Sequence, residues 1–390
     1  MKTLQDVVYP IAEDEFLREY WTKKFIHISG PQKKFSHLFS WDILNSVLDQ
    51  HRFEGKRLRL VKCGRQVESE NFLRGLTVES SKLTSELARG ATLILNACEE
   101  MYRPLRELCV ELERLFHVRV FVNLYAGWRT DNGFQIHWDT QDTLILQIAG
   151  RKHWKVWAPT RKYPFRDDLV DTKILPTEDP IWEGMLEGGG VLSLPRGWWH
   201  VAYPIDEPSL HLTVTIQNLN GLDFLHWFVN QMKASEFVRM EMPITQDPMQ
   251  KREWLDQVWK DLSNSWHADL VEAYIAHVDG EASSRPSMQL PQAALDDVSQ
   301  ALEPNTSLQL SAARPLHLDR KEDPVRFKAA GIEWQTSADL VPFLELFNDG
   351  EPHRLSELSQ AADYRLNALV AALVTKGVLR TVPLAPKECL

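Results

Sequence analysis

Three residues of this chain have the types and spacing to share one metal ion. His137 and Asp139 are separated by a single tryptophan, and His200 closes the run Pro195-Arg196-Gly197-Trp198-Trp199-His200. Two imidazoles and one carboxylate can take one face of an octahedral ion and leave the other face open, as in the non-haem Fe(II) oxygenases. His137 and Asp139 have the same parity, so on an extended segment both side chains point to one side. The plain alternative is a structural histidine beside a turn-capping aspartate, because His-X-Asp tripeptides also arise by chance. A fourth residue bears on the choice. Lys152 follows Gly150-Arg151; an exposed lysine is the default there, but an ammonium point charge could also hold the far carboxylate of 2-oxoglutarate.

Converging side chains need rigid elements to carry them. Val118, Val120, Val122 and Leu124 alternate with Arg119, Phe121, Asn123 and Tyr125, the period of a strand. Further strands are expected at 143–149, 152–157, 191–194 and 209–217, with Gly150-Arg151 as a turn and Gly188-Gly189-Gly190 before the third. The last strand has a polar face of Ser209, His211, Thr213, Thr215 and Gln217, and an apolar face of Leu210, Leu212, Val214 and Ile216. That polar stripe is either a solvated face or the lining of a small barrel that holds a charged ligand. Several short strands separated by turn signals indicate a sandwich or barrel. The ligands would then come from different strands, with a rigid Pro-Arg-Gly turn before His200.

Helical periods frame this region. Glu13-Asp14-Glu15 opens a first turn followed by Phe16, Leu17, Tyr20 and Trp21, and Phe25–Ile28 reads as a short strand. Pro104 begins a helix whose stripe is Leu105, Leu108, Cys109, Leu112, Leu115 and Phe116. Beyond residue 222 the strand character ends. Helices are expected over 222–240 and 254–278, and Ala282–Ser287 has linker composition. The last ninety residues read as helices at 338–347, 355–362 and 364–376, then Gly377 as a C-cap and a strand at 378–382. Three helices and a terminal strand suggest a winged helix. The expected domains are therefore 1–222, 223–290 and 291–390.

Composition excludes some functions. With 390 residues, 44% apolar and 25% charged, the chain has the balance of a globular protein. A net charge of −10 argues against broad nucleic-acid binding, although Lys56, Arg57, Arg59, Lys62 and Arg65 could form a local basic patch. The helix at 364–376 offers only Arg365 and Lys376 as cations, so a structural or protein-docking role suits the winged helix better than DNA binding. The apolar runs are too short to cross a bilayer, and the first residues lack the apolar core of a secretion signal. A cytoplasmic protein without membrane contact is expected. Four scattered cysteines form neither a disulfide framework nor a zinc site.

Several segments carry a family resemblance. Asn123-Leu124-Tyr125, Gly133-Phe134-Gln135-Ile136-His137-Trp138-Asp139, Leu146-Gln147-Ile148-Ala149-Gly150-Arg151-Lys152-His153-Trp154 and Gly189-Gly190-Val191-Leu192-Ser193-Leu194-Pro195-Arg196-Gly197-Trp198-Trp199-His200 resemble the core of the JmjC ribosomal oxygenases. Phe16–Phe25 resembles the opening helix of that family, whose members are 2-oxoglutarate-dependent protein hydroxylases of the cupin superfamily. The resemblance implies an α+β chain: a double-stranded β-helix (jelly-roll, cupin) catalytic domain, a helical dimerisation region and a C-terminal winged helix. It implies Fe(II) held by His137, Asp139 and His200, with 2-oxoglutarate as co-substrate and O2 as oxidant. Lys152 matches the residue that binds the far carboxylate. Asn123 and Thr215 match positions lining the co-substrate pocket, with Thr213 as the alternative in another register.

The implied reaction hydroxylates an arginine or histidine of a ribosomal protein, carried out by a homodimer joined through residues 223–290. Two other readings stay open: the same iron chemistry on a peptide or small natural product, and a non-catalytic metal-binding cupin that serves as an interaction module. Intact His137, Asp139, His200 and Lys152 speak against the last. His153 and His211 read as ordinary structural histidines, with positions behind the ligands as the alternative. Two residues depart from the family pattern. Gly190 replaces an aspartate and Arg196 replaces a proline, both flanking the turn into His200; they bear on loop conformation and substrate entry, not on metal binding.

Overall fold

In the computed structural model of the chain, residues 3–129, 134–169, 175–285, 305–311, 313–321, 323–358 and 364–382 are described. The chain divides into two compact units, Met1–Asn218 and Leu219–Leu390. The expected boundary at 290 lies outside the described residues.

In the first unit, alternation of side chains builds two main antiparallel sheets, beside a short ribbon of Leu73–Arg74 and Thr77–Val78. The larger has eight strands, in the order Ile26–Ile28, Val191–Leu194, Asp142–Ala149, Ser209–Ile216, Val120–Gly127, Thr92–Leu95, Leu58–Lys62 and Arg65–Val67. The smaller places Arg151–Trp157 between Trp182–Glu187 and Trp199–Tyr203. Ile145, Leu192 and Leu194 of the large sheet pack with Trp154, Val156 and Leu186 of the small one. The other face of the large sheet is a second apolar layer: Val120, Val122, Leu124, Leu144, Leu146, Leu210, Leu212, Val214 and Ile216 join Leu105, Leu108, Cys109 and Leu112 of the Arg103–Phe116 helix. Each such fully buried side chain contributes roughly 1.5–3 kcal/mol. With one face committed to this core, the pleat turns the polar stripe of Ser209–Ile216 toward the small sheet. Ser209 and His211 are buried, so the stripe is not a solvated face.

The strands 58–62, 65–67 and 92–95, and the helices Trp41–Gln50 and Ser80–Ala88, extend the unit beyond what the sequence reading identified. Thr92–Leu95 pairs only with Leu124–Ala126 of its neighbour. Beyond its reach, Glu113 accepts the Val120 N–H at 3.0 Å and Glu99 accepts the Val122 N–H at 2.9 Å. Two carboxylates thus stand where a strand would otherwise have to supply carbonyls.

In the second unit the expected long helices are interrupted. The first runs over Gly221–Gln231, and a separate turn of helix occupies Glu236–Arg239, because the Ser235 side chain caps a new N-terminus by accepting the Val238 N–H. The next starts earlier than expected, at Pro248 after the capping Asp247, and stops at Ser265; Leu270–Glu281 is a further helix. Phe224, Phe228, Trp266 and Tyr274 pack as rings between them. Towards the C-terminus, Ser307–Leu310 pairs with His353–Arg354 and Leu379–Val382, and Val325–Ala329 forms a hairpin with Ile332–Thr336. The expected helices correspond to Val341–Leu346 with flanking 3-10 turns, Leu355–Leu358 and Tyr364–Thr375. Residues 359–362 of the expected second helix lie outside the described residues.

Candidate metal and anion site

The site is assembled by one short stretch of pairing. His137 N–H donates to the His200 carbonyl at 3.1 Å and His200 N–H returns the bond at 2.8 Å, so the two histidines face each other across an isolated bridge. Gly197 N–H donates to the Asp139 carbonyl at 2.9 Å, which ties the turn before His200 to the other ligand-bearing segment. Gly197 sits at φ +86°, and a Cβ there would lie 2.7 Å from the Arg161 carbonyl oxygen, so only glycine fits without strain.

Side-chain geometry follows from these bonds. One ligand atom each from His137, Asp139 and His200 lies within 4.8 Å of the others, the one such group of three among the described residues. His200 Nε2 is 3.6 Å from Asp139 Oδ2. Each imidazole also binds a carbonyl two residues back: His137 Nδ1 to Gln135 at 2.8 Å, and His200 Nδ1 to Trp198 at 3.0 Å. A carbonyl can only accept, so both Nδ1 atoms carry the hydrogen and each Nε2 is the atom with the lone pair a metal would use. The donor set, tautomers and spacing fit a first-row divalent cation.

These three residues line a cavity between the sheets together with Lys152, Tyr125, His211, Thr213, Thr143 and Trp154. Lys152 lies on Arg151–Trp157 with its side chain inward and is 4% exposed. Among the described residues no carboxylate pairs with its ammonium, and burial pulls its pKa down to about 8. A buried, unpaired cation is costly unless a ligand supplies the anion. The Tyr125 hydroxyl is pushed up by burial, with the Asp139 charge adding to the effect. The remaining sequence candidates separate. Thr213 is on the cavity wall, whereas Asn123 and Thr215 are not among the lining residues. Asn123 stands opposite Thr213, but its Oδ1 accepts the Ala97 N–H at 3.1 Å. Thr215 lies one pair further along the same face, between Thr143 and Phe121.

His211 belongs to the polar stripe named as a possible lining, whereas Tyr125, Thr143 and Trp154 were not singled out. Strand parity places each on the inner face, so that signal was present. His153, by contrast, faces outward and meets Glu183 at 3.2 Å. The two family departures have local reasons. A Cβ on Gly190 would lie 2.9 Å from both the Glu187 carbonyl oxygen and a Leu186 methyl. Arg196 N–H donates to Asp142 Oδ1 at 3.1 Å, a bond that proline cannot make. Among the described residues no helix is long and apolar enough to cross a membrane.

Comparisons with known proteins converge on the same region. Residues 99–224 match the JmjC domain. A bifunctional lysine-specific demethylase and histidyl-hydroxylase NO66 of Drosophila pseudoobscura pseudoobscura is 30% identical over 231 residues, covering 55% of this chain and 23% of that protein. The NO66 of Aedes aegypti is 28% identical over 220 residues, covering 55% and 34%. The chain therefore spans about a third or less of the length of these relatives. Among solved structures, the Escherichia coli ribosomal oxygenase YcfD is similar with a TM-score of 0.62 and 19% identity, covering 95% of this chain and 98% of that one. A YcfD complex with cobalt and 2-oxoglutarate is similar with a TM-score of 0.59 and 17% identity, covering 96% and 99%. The chain shares that fold, a cupin-type JmjC barrel with mixed helices and sheets.

Proposed function

For a chain that carries a JmjC domain, we propose an Fe(II)- and 2-oxoglutarate-dependent oxygenase that hydroxylates a protein side chain. The observation that carries this reading is one cavity holding both the His137, Asp139 and His200 cluster and the unpaired buried Lys152.

In this reading His137, Asp139 and His200 hold the ferrous ion through two Nε2 atoms and one carboxylate oxygen. Bound iron and 2-oxoglutarate supply the O2 activation and oxidative decarboxylation that insert one oxygen atom into a C–H bond. The protein's part is position and shelter. The Gln135 and Trp198 carbonyls fix both imidazole planes. Lys152 holds the far carboxylate of the keto acid, Thr213 borders it, and Asn123 and Thr215 support that wall. Trp138 and Trp199, both buried, pack edge to face behind the ligands and keep bulk water away.

The substrate we assign is a ribosomal protein, modified on arginine or histidine. The names of the similar proteins support it, one a histidyl-hydroxylase and the other a ribosomal oxygenase, and such a target places the action in the cytoplasm. A homodimer through residues 223–290 is supported by exposed apolar side chains there, among them Leu225, Val229, Leu255 and Trp259. A winged helix over 291–390, used for protein docking and not nucleic acid, is supported by the Tyr364–Thr375 helix and the strands beside it.

Anaerobic titration with Fe(II) and 2-oxoglutarate tests the site: a charge-transfer band is expected, and H137A should lack it. Mass spectrometry of ribosomal proteins from cells with and without the enzyme tests the substrate, with a mass gain of one oxygen atom expected. Keto-acid turnover without that gain in any ribosomal protein would move the substrate to a peptide or small natural product.

A further inference from the structure

We propose that His211 is a positioning residue for the co-substrate: its imidazole is a second hydrogen-bonding partner, beside Lys152, for the far carboxylate of a dicarboxylic 2-oxo acid. The inference rests on the oxygenase reading above.

His211 lies on Ser209–Ile216 directly opposite Tyr125 on one neighbour and Gln147 on the other, beside a register shift between Leu210 and His211. Such irregularities re-aim side chains next to functional sites. Its ring is clamped from two sides. Tyr125 stacks on it at 4.9 Å with 9° between planes, and Trp154 meets it edge to face at 5.7 Å. It is 3% exposed and lines the cavity, yet its Nδ1 is buried without a hydrogen-bond partner. Gln147 Oε1 and Trp154 Nε1 are likewise buried and unsatisfied. His211 and Trp154, both on the cavity wall with Lys152, therefore each leave a polar atom unpaired, and Gln147 behind His211 leaves a third.

Leaving one such atom unpaired costs about 1–3 kcal/mol, and a purely packing role would favour phenylalanine in this aromatic clamp. Burial and the nearby Lys152 charge hold the imidazole neutral, so it has one N–H to donate. Lys152 supplies a point charge without direction; the clamped imidazole supplies direction. Together they recognise a carboxylate at a fixed depth, which selects keto acids that carry a second acid group.

The test uses the full chain loaded with Mn(II), and compares binding of 2-oxoglutarate with 2-oxopentanoate, which has the same length but no far carboxylate. Wild type should prefer 2-oxoglutarate. H211F should weaken 2-oxoglutarate about tenfold or more, roughly 1.4 kcal/mol, with 2-oxopentanoate and Mn(II) affinity unchanged. H211N, which retains an N–H donor, should recover part of the loss. Equal binding of 2-oxoglutarate by H211F and wild type, or equal weakening of both acids, overturns the proposal. Should H211F not take up Mn(II), the same ratio measured on H211N decides. Failure of the wild type itself to bind 2-oxoglutarate with Mn(II) overturns the oxygenase reading as well; a normal wild type with an indifferent H211F removes only the role of His211.

Discussion

His137 and His200 exchange both of their backbone hydrogen bonds, at 3.1 and 2.8 Å, with ring centroids 4.4 Å apart. Two candidate ligands far apart in sequence are thus locked together by main chain alone. The histidine spacing is a property of the fold, and a metal would only have to occupy it.

Removing a ligand should accordingly affect metal and not fold. H200A and H137A are expected to melt within a few degrees of wild type. Their Fe(II) affinity should fall by more than the roughly 10–100-fold typical of losing an outer partner. Thermal melts and competitive metal titration check both expectations; a collapse in melting temperature would show that the histidines are structural.

Gly197→Ala should act in the opposite way. The new methyl meets the Arg161 carbonyl at 2.7 Å with the backbone at φ +86°, a conformation that costs an L-residue roughly 1–2 kcal/mol before the clash is counted. Reduced stability and reduced metal affinity should appear together, since the Gly197 N–H to Asp139 bond is lost with the turn.

Lys152 gives two pH dependences of opposite sign. Its folded pKa, about 8, lies below its ordinary value of 10.5. Between these values the unfolded chain holds more protons than the folded one, so stability without co-substrate should rise as pH climbs from about 8 to 10.5. The penalty is present in full below about 8, on the order of 3 kcal/mol. Binding of 2-oxoglutarate, which in the proposed reading uses the ammonium, should weaken as pH passes above that point. K152M should melt higher than wild type without ligand, lose 2-oxoglutarate binding, and flatten both profiles. Calorimetry from roughly pH 7 to pH 11, which brackets both values, measures each.

Arg196→Pro would introduce the residue usual in the family that the sequence resembles and should nevertheless destabilise this chain. Asp142 is buried, its carboxyl is raised chiefly by desolvation, and it relies on the Arg196 N–H and the Asn218 amide at 2.6 Å. Losing one donor to a buried carboxylate costs about 1–3 kcal/mol, readable in a denaturant melt. Equal stability of R196P would show that the bond carries no weight.

Much of the site was legible because strand parity and ligand chemistry are local. His137, Asp139, His200 and Lys152 follow from residue type, spacing and a turn. Depth along a strand is not local: parity puts Asn123, Thr213 and Thr215 on one face, and only the folded chain separates the residue on the cavity wall from the other two. His211 belonged to the same stripe, but its burial and ring clamp come from Tyr125 and Trp154 on other strands. Elsewhere the signals were readable and outweighed. Ser235 is an ordinary helix-starting residue, obscured by apolar content that made 222–240 look continuous, and Asp247-Pro248 starts a helix before its apolar pattern begins at Trp254. Val325, Phe327 and Ala329 alternate before Ala330-Gly331, a hairpin pattern too short to stand out.

Glu99 and Glu113 have a consequence beyond the strand they serve. A foreign peptide trying to extend the sheet along Val120 and Val122 would first have to expel two anions already seated on those amides. Unpaired strand edges, when left open, invite unwanted fibre-like association. Here the flank is sealed from within, by two side chains of the same chain.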